Sequence, residues 1–109
     1  MNYKLMAEVL QLAVDSFLYD GKIGVYDGRC TWLCEAVGRA IKYKCLINFW
    51  SEKQEIEDDI AIAIDYEVFA TAHLRKVYGW EWTADSEKIQ AWRKQLAESL
   101  IAKYKEKAQ

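Results

Sequence analysis

Four stretches of this chain repeat their apolar side chains every three or four residues, a spacing that puts each set on one face of an α-helix. The first stripe is Leu5, Met6, Val9, Leu10, Ala13, Val14, Phe17 and Leu18, which predicts a helix over residues 3–19 behind Asn2 as N-cap. The second is Trp32, Leu33, Ala36, Val37, Ala40 and Ile41, on a helix running from Arg29 to about Lys44. The third holds Ile56, Ile60, Ala63 and Ile64 and continues through Val68 or Phe69 to Ala72; the fourth holds Ile89, Trp92, Leu96, Leu100, Ile101 and Tyr104. One-faced helices bury their stripes only by packing on one another. The expected fold is therefore all-α, a compact bundle of about four helices forming a single domain over residues 1–109. The chain has no proline and five glycines, too few for the many tight turns of a sandwich or barrel.

Local signals place the boundaries. Asp20-Gly21 ends the first helix, and residues 22–28 hold Gly24 and Gly28, a loop or short hairpin. Residues 45–50, Cys-Leu-Ile-Asn-Phe-Trp, are too short and too uniformly apolar for periodicity to type, and read as a helix end or a buried connector. Ser51 with Gln54 then predicts a capping box at the start of the third helix, with acids crowding its first turns. Gly79, after Arg75 and Lys76, marks its end, and the alternating run Ile60-Ala61-Ile62-Ala63-Ile64 allows a break near Asp65 instead. Thr83 or Asp85 caps the last helix, which is expected to run to about Tyr104 before its lysine tail frays.

Composition narrows the function. With 52% apolar and 29% charged residues the chain forms a real core, which excludes a disordered segment. Net charge is −2, a balance that argues against wrapping nucleic acid. The distribution is uneven: residues 1–50 carry 6 basic and 5 acidic side chains, 51–87 carry 3 and 10, and 88–109 carry 6 and 2. An acidic middle and a basic tail can complement each other within the fold or between subunits of a homodimer. Three cysteines without paired spacing, and no signal segment at the start, point to a reducing cytosol. No apolar run approaches the ~20 residues of a membrane-spanning helix, so no membrane role is expected.

Several clusters have the residue types of chemical sites. Cys30 and Cys34, four apart on the second helix, would need Cys45 and the sole histidine, His73, to complete a tetrahedral zinc set; buried apolar cysteine explains them as well. Cysteine catalysis would need His73 as base, on another helix. Glu52-x-x-Glu55-x-x-Asp58 would suit Mg2+ in a phosphate or nucleotide hydrolase, but that chemistry requires a second acidic helix, and a solvated face accounts for the run. Gly21, Gly24 and Gly28 before Arg29 match neither the P-loop nor the dinucleotide fingerprint, so no cofactor is expected. Basic positions on the second and fourth helices, among them Arg39, Lys42, Arg93, Lys94, Lys103 and Lys107, would line a nucleic-acid groove only against the field of the acidic third helix.

The aromatic loop Tyr78-Gly79-Trp80-Glu81-Trp82 stands apart, because one buried stripe cannot absorb two tryptophans one residue apart. Beside Arg75 and Lys76 it has the residue types of a protein-binding hot spot. Tyr78, Trp80, Trp82, Arg75 and Lys76, with Glu55, Asp58 and Asp59 from the acidic face, are the candidate partner-binding residues. The opening segment Phe17-Leu18-Tyr19-Asp20-Gly21, with Arg29-Cys30-Thr31-Trp32-Leu33-Cys34-Glu35-Ala36-Val37, resembles small accessory proteins of tailed bacteriophages. That resemblance implies a protein made in the bacterial cytosol, dispensable for the virion and aimed at a host factor such as an immune complex. The expected function is non-enzymatic: a small module that binds, and inhibits, a larger host protein.

Overall fold

The computed structural model describes residues 1–18, 31–63 and 87–109, and these form an all-α bundle with no strand among them. Helix α1 spans Tyr3–Leu12 and is capped as its sequence indicates, Asn2 Oδ1 accepting from the Leu5 amide at 3.0 Å. The rest of the first stripe departs from a uniform helix. Ala13–Phe17 is a π-helical turn, and the apolar spacing supplies a reason. Met6, Leu10, Val14 and Leu18 are spaced strictly by four, and each four-residue step on an α-helix overshoots a full turn by about 40°. Over three such steps the stripe would swing away from the core. A wider π turn swings it back, and all four side chains are buried.

Helix α2 spans Thr31–Tyr43 and buries Leu33, Ala36, Val37 and Ala40. It closes in a Schellman motif: the Cys45 amide donates to the Lys42 carbonyl at 3.1 Å and the Leu46 amide to the Ile41 carbonyl at 3.2 Å. The motif requires a left-handed residue, and here Cys45 supplies it at φ 53° where glycine is usual. This settles the untyped run at residues 45–50. It is a helix end and tight turn rather than a buried connector, with Phe49 buried in the core and Leu46 packed partly buried against it.

Helix α3 occupies residues 50–63 of the described chain; its expected continuation to Gly79, and the possible break near Asp65, lie outside the described residues. It starts earlier than the Ser51 capping box implies. Because Phe49 is buried, the helix begins at once, with the Lys53 amide donating to the Phe49 carbonyl at 3.0 Å, and Ser51 falls inside the first turn. Gln54 accordingly donates forward to Asp58 Oδ1 at 2.9 Å instead of back to a cap. Ile56 and Ile60 are fully buried.

Helix α4 spans Glu87–Lys107 and lies along α1. Its buried side carries Leu96, Ala97, Leu100, Ile101 and Tyr104. The lysine tail does not fray: the helix holds to Lys107 because Lys103 and Lys107 are tied to α3. No helix among the described residues is long and apolar enough to cross a membrane.

Candidate protein-binding site

Two surfaces of α3 meet polar or aromatic neighbours in opposite ways. The first faces α1 and the end of α4, and it uses the acids Glu52, Glu55 and Asp59, spaced to share one helical face. Glu52 Oε1 accepts from the Asn2 amide at 3.2 Å. Glu55 Oε1 accepts from the Tyr3 hydroxyl at 3.4 Å and lies 3.9 Å from Lys107 Nζ. Asp59 Oδ2 accepts from the Tyr104 hydroxyl at 2.7 Å and pairs with Lys103 Nζ at 3.3 Å. Tyr3 and Tyr104 stack with ring centroids 6.0 Å apart, and Lys107 Nζ stands 5.0 Å over the Tyr3 ring. Burial, and then the hydrogen bond to Asp59, push the Tyr104 hydroxyl well above the ordinary tyrosine range.

This clasp shows where three of the sequence-derived candidates belong. Glu55 and Asp59 are engaged by α1 and α4, while Asp58 is exposed and met by the Gln54 amide. The acidic middle and basic tail thus complement each other within one chain at these positions. Of the helix-four cations, Arg93 is buried, Lys94 lies 3.9 Å from Glu98, and Lys103 and Lys107 belong to the clasp. Among the described residues no group of three or more His, Cys, Asp or Glu converges as a metal site.

The second surface is the corner where α2 turns into α3. Tyr43, Ile47 and Trp50 are 73%, 81% and 75% exposed there. The Schellman turn holds them out, since the left-handed step at Cys45 reverses the chain within two residues. Ile47 and Trp50 line an open cleft of about 360 Å3 whose wall they form with Ile41, Leu46 and Phe49, with Lys42 and Lys53 at the rim. Tyr43 rests one edge on Phe17, centroids 6.3 Å apart. A second depression, on Ser51, Gln54, Glu55 and Asp58, shares Trp50 with the first.

Two residues lining this cleft break local backbone rules. Cys45 takes a left-handed conformation that disfavours a side chain by about 1 kcal/mol or more. Gly38 sits inside α2, where glycine costs roughly 1 kcal/mol relative to alanine. Among the described residues nothing lies within 4 Å of where a Gly38 side chain would begin, so packing between them does not demand glycine. Cys34 is partly buried against the core, and burial first, then Glu57 and Glu35, pushes its thiol up to about 11. It is an unreactive packing thiol at neutral pH, whereas Cys45 is exposed.

Sequence reasoning missed this corner, because an uninterrupted apolar run reads as core. The pairing of Ile41 with Leu46 around a short turn was the available signal. Arg75, Lys76, Tyr78, Trp80 and Trp82 lie outside the described residues, as do Cys30 and His73 of the zinc set and the glycine loop before Arg29. No family model matches the chain, and no curated protein or solved structure matches it.

Proposed function

We propose that this chain is a small non-enzymatic interaction module that binds another protein through the apolar cleft at the α2–α3 corner. The observation that carries the reading is the pair Ile47 and Trp50, both largely exposed and both lining an apolar cleft. Scattered exposed apolar residues are ordinary, but a bulky aromatic beside an apolar cleft with a charged rim has the make-up of an interface core. Two backbone rule-breakers at the same place support it, since local penalties that packing does not explain gather at functional sites. The resemblance of the opening segment to tailed-phage accessory proteins directs the search to a host protein complex in the bacterial cytosol, whose inhibition is the proposed outcome.

The hydrolase alternative needs acids on a helix facing α3. Among the described residues, the polar neighbours that meet Glu52, Glu55 and Asp59 are instead an amide, two tyrosines and two lysines.

The test is a tagged pull-down from bacterial lysate, with and without nuclease, read by mass spectrometry against a charge-matched control. The expected result is a nuclease-resistant protein partner that Trp50→Ala and Ile47→Asp both lose. Loss only with Trp80→Ala or Trp82→Ala would move the interface to the aromatic loop, and loss with nuclease would replace the reading by nucleic-acid binding.

A further inference from the structure

We infer that a second copy of this chain covers the cleft, in a twofold dimer whose axis passes close to Trp50. The inference rests on the corner being a docking surface, and it names the occupant from the charges that flank it. Trp50 separates two depressions of opposite character: the apolar cleft rimmed by Lys42 and Lys53, and the polar shelf carrying Gln54 and Asp58. Lys53 already pairs with Glu57 at 3.6 Å. Lys42 has no acidic partner among the described residues, and Asp58 is met there only by the neutral Gln54 amide. The exposed tryptophan therefore stands between one uncompensated cation and one uncompensated anion.

Such a surface is complementary to itself. A twofold contact sets residue i of one copy against j of the other and j against i. An axis near Trp50 lays the shelf of each copy over the cleft of the other, matches Lys42 with Asp58 twice, and withdraws Ile47 and Trp50 from water together. The contact patch is small, so the dimer belongs to the weak, exchanging class and a protein partner competes with it for the same cleft. Self-pairing would then shield the apolar corner until that partner arrives.

Charge reversal tests the pairing. Sedimentation equilibrium of the full chain from ~1 to ~500 µM, the range over which small interfaces form and dissociate, should show a monomer–dimer equilibrium. K42E and D58K should each be monomeric. An equimolar mixture of the two should dimerise again, because the mixed dimer has two attractive cross-copy pairs, one native and one with its signs reversed. Trp50→Ala should weaken dimerisation at least tenfold while retaining the helical circular dichroism of the native chain. A chain that stays monomeric throughout, a dimer indifferent to these substitutions, or a mixture no better than its components would overturn the second copy. None of those results removes the cleft as a site for a foreign protein, which fails separately if Trp50→Ala and Ile47→Asp leave partner capture intact.

Discussion

Tyr104, packed against α3, and Trp50, the first residue of α3, are both large aromatic side chains, and the fold treats them in opposite ways. Tyr104 is fully buried, and its hydroxyl meets Asp59 at 2.7 Å; Trp50 is 75% exposed, with an apolar cleft on one side and a polar shelf on the other. Around Tyr104 the neighbouring charges have partners. Around Trp50 the chain accepts two unfavourable backbone choices, Gly38 and Cys45, and leaves apolar surface in water. The difference separates a region built to hold the fold from one whose construction lowers stability, and the second is where function is proposed.

The largest effect should come from breaking the clasp. Tyr104→Ala removes a fully buried aromatic and should cost about 3–5 kcal/mol, read as a lower urea midpoint. Tyr104→Phe keeps the ring and should cost only about 1–2 kcal/mol, the penalty of leaving Asp59 short of a donor. The same pair predicts an alkaline effect. The Tyr104 hydroxyl ionises above the ordinary tyrosine value of about 10, so its contribution is complete below that pH. It is lost as pH rises further, by at most about 1.4 kcal/mol per pH unit, and Tyr104→Phe should flatten that part of the stability profile.

At the corner the signs should reverse. Cys45→Gly relieves a left-handed side chain and should stabilise by about 1 kcal/mol, and Gly38→Ala should gain roughly 0.5–1 kcal/mol because its added methyl meets open space. Both gains should appear in thermal melts, and Gly38→Ala should also weaken partner binding by intruding on the cleft. Failure of either to stabilise would show that the corner is not held against its local preferences. A smaller contrast lies in the thiols: maleimide labelling at pH 7 should modify exposed Cys45 well before Cys34, whose ionisation is pushed up to about 11. Trp50→Ala should change stability least, by under about 0.5 kcal/mol.

Much of the bundle is legible in the sequence because each stripe has a physical reason to be a helix. The Asn2 cap and the buried residues Leu10, Val37 and Leu100 follow directly from spacing. Details governed by tertiary contact do not. The π turn at Ala13–Phe17 answers a four-residue repeat that only matters once a core exists to face, and the order of the lysine tail depends on acids far earlier in the chain, Glu55 and Asp59. The acidic row shows the same limit. Glu52, Glu55 and Asp58 look equivalent in sequence, yet the clasp uses Asp59 and leaves Asp58 exposed, because Tyr104 and Lys103 of α4 meet the Asp59 side of the helix. The corner was hidden for a different reason: hydropathy cannot distinguish an apolar side chain held in by packing from one held out by a Schellman turn.

The most direct test of this division is partner capture by Trp50→Ala protein, measured beside its melting temperature. Capture should fall at least tenfold while the melting temperature stays within about 2 °C of the native chain, the shift that under 0.5 kcal/mol allows. Undiminished capture, or a loss matched by an equivalent fall in melting temperature, would contradict the assignment of the α2–α3 corner as the binding surface.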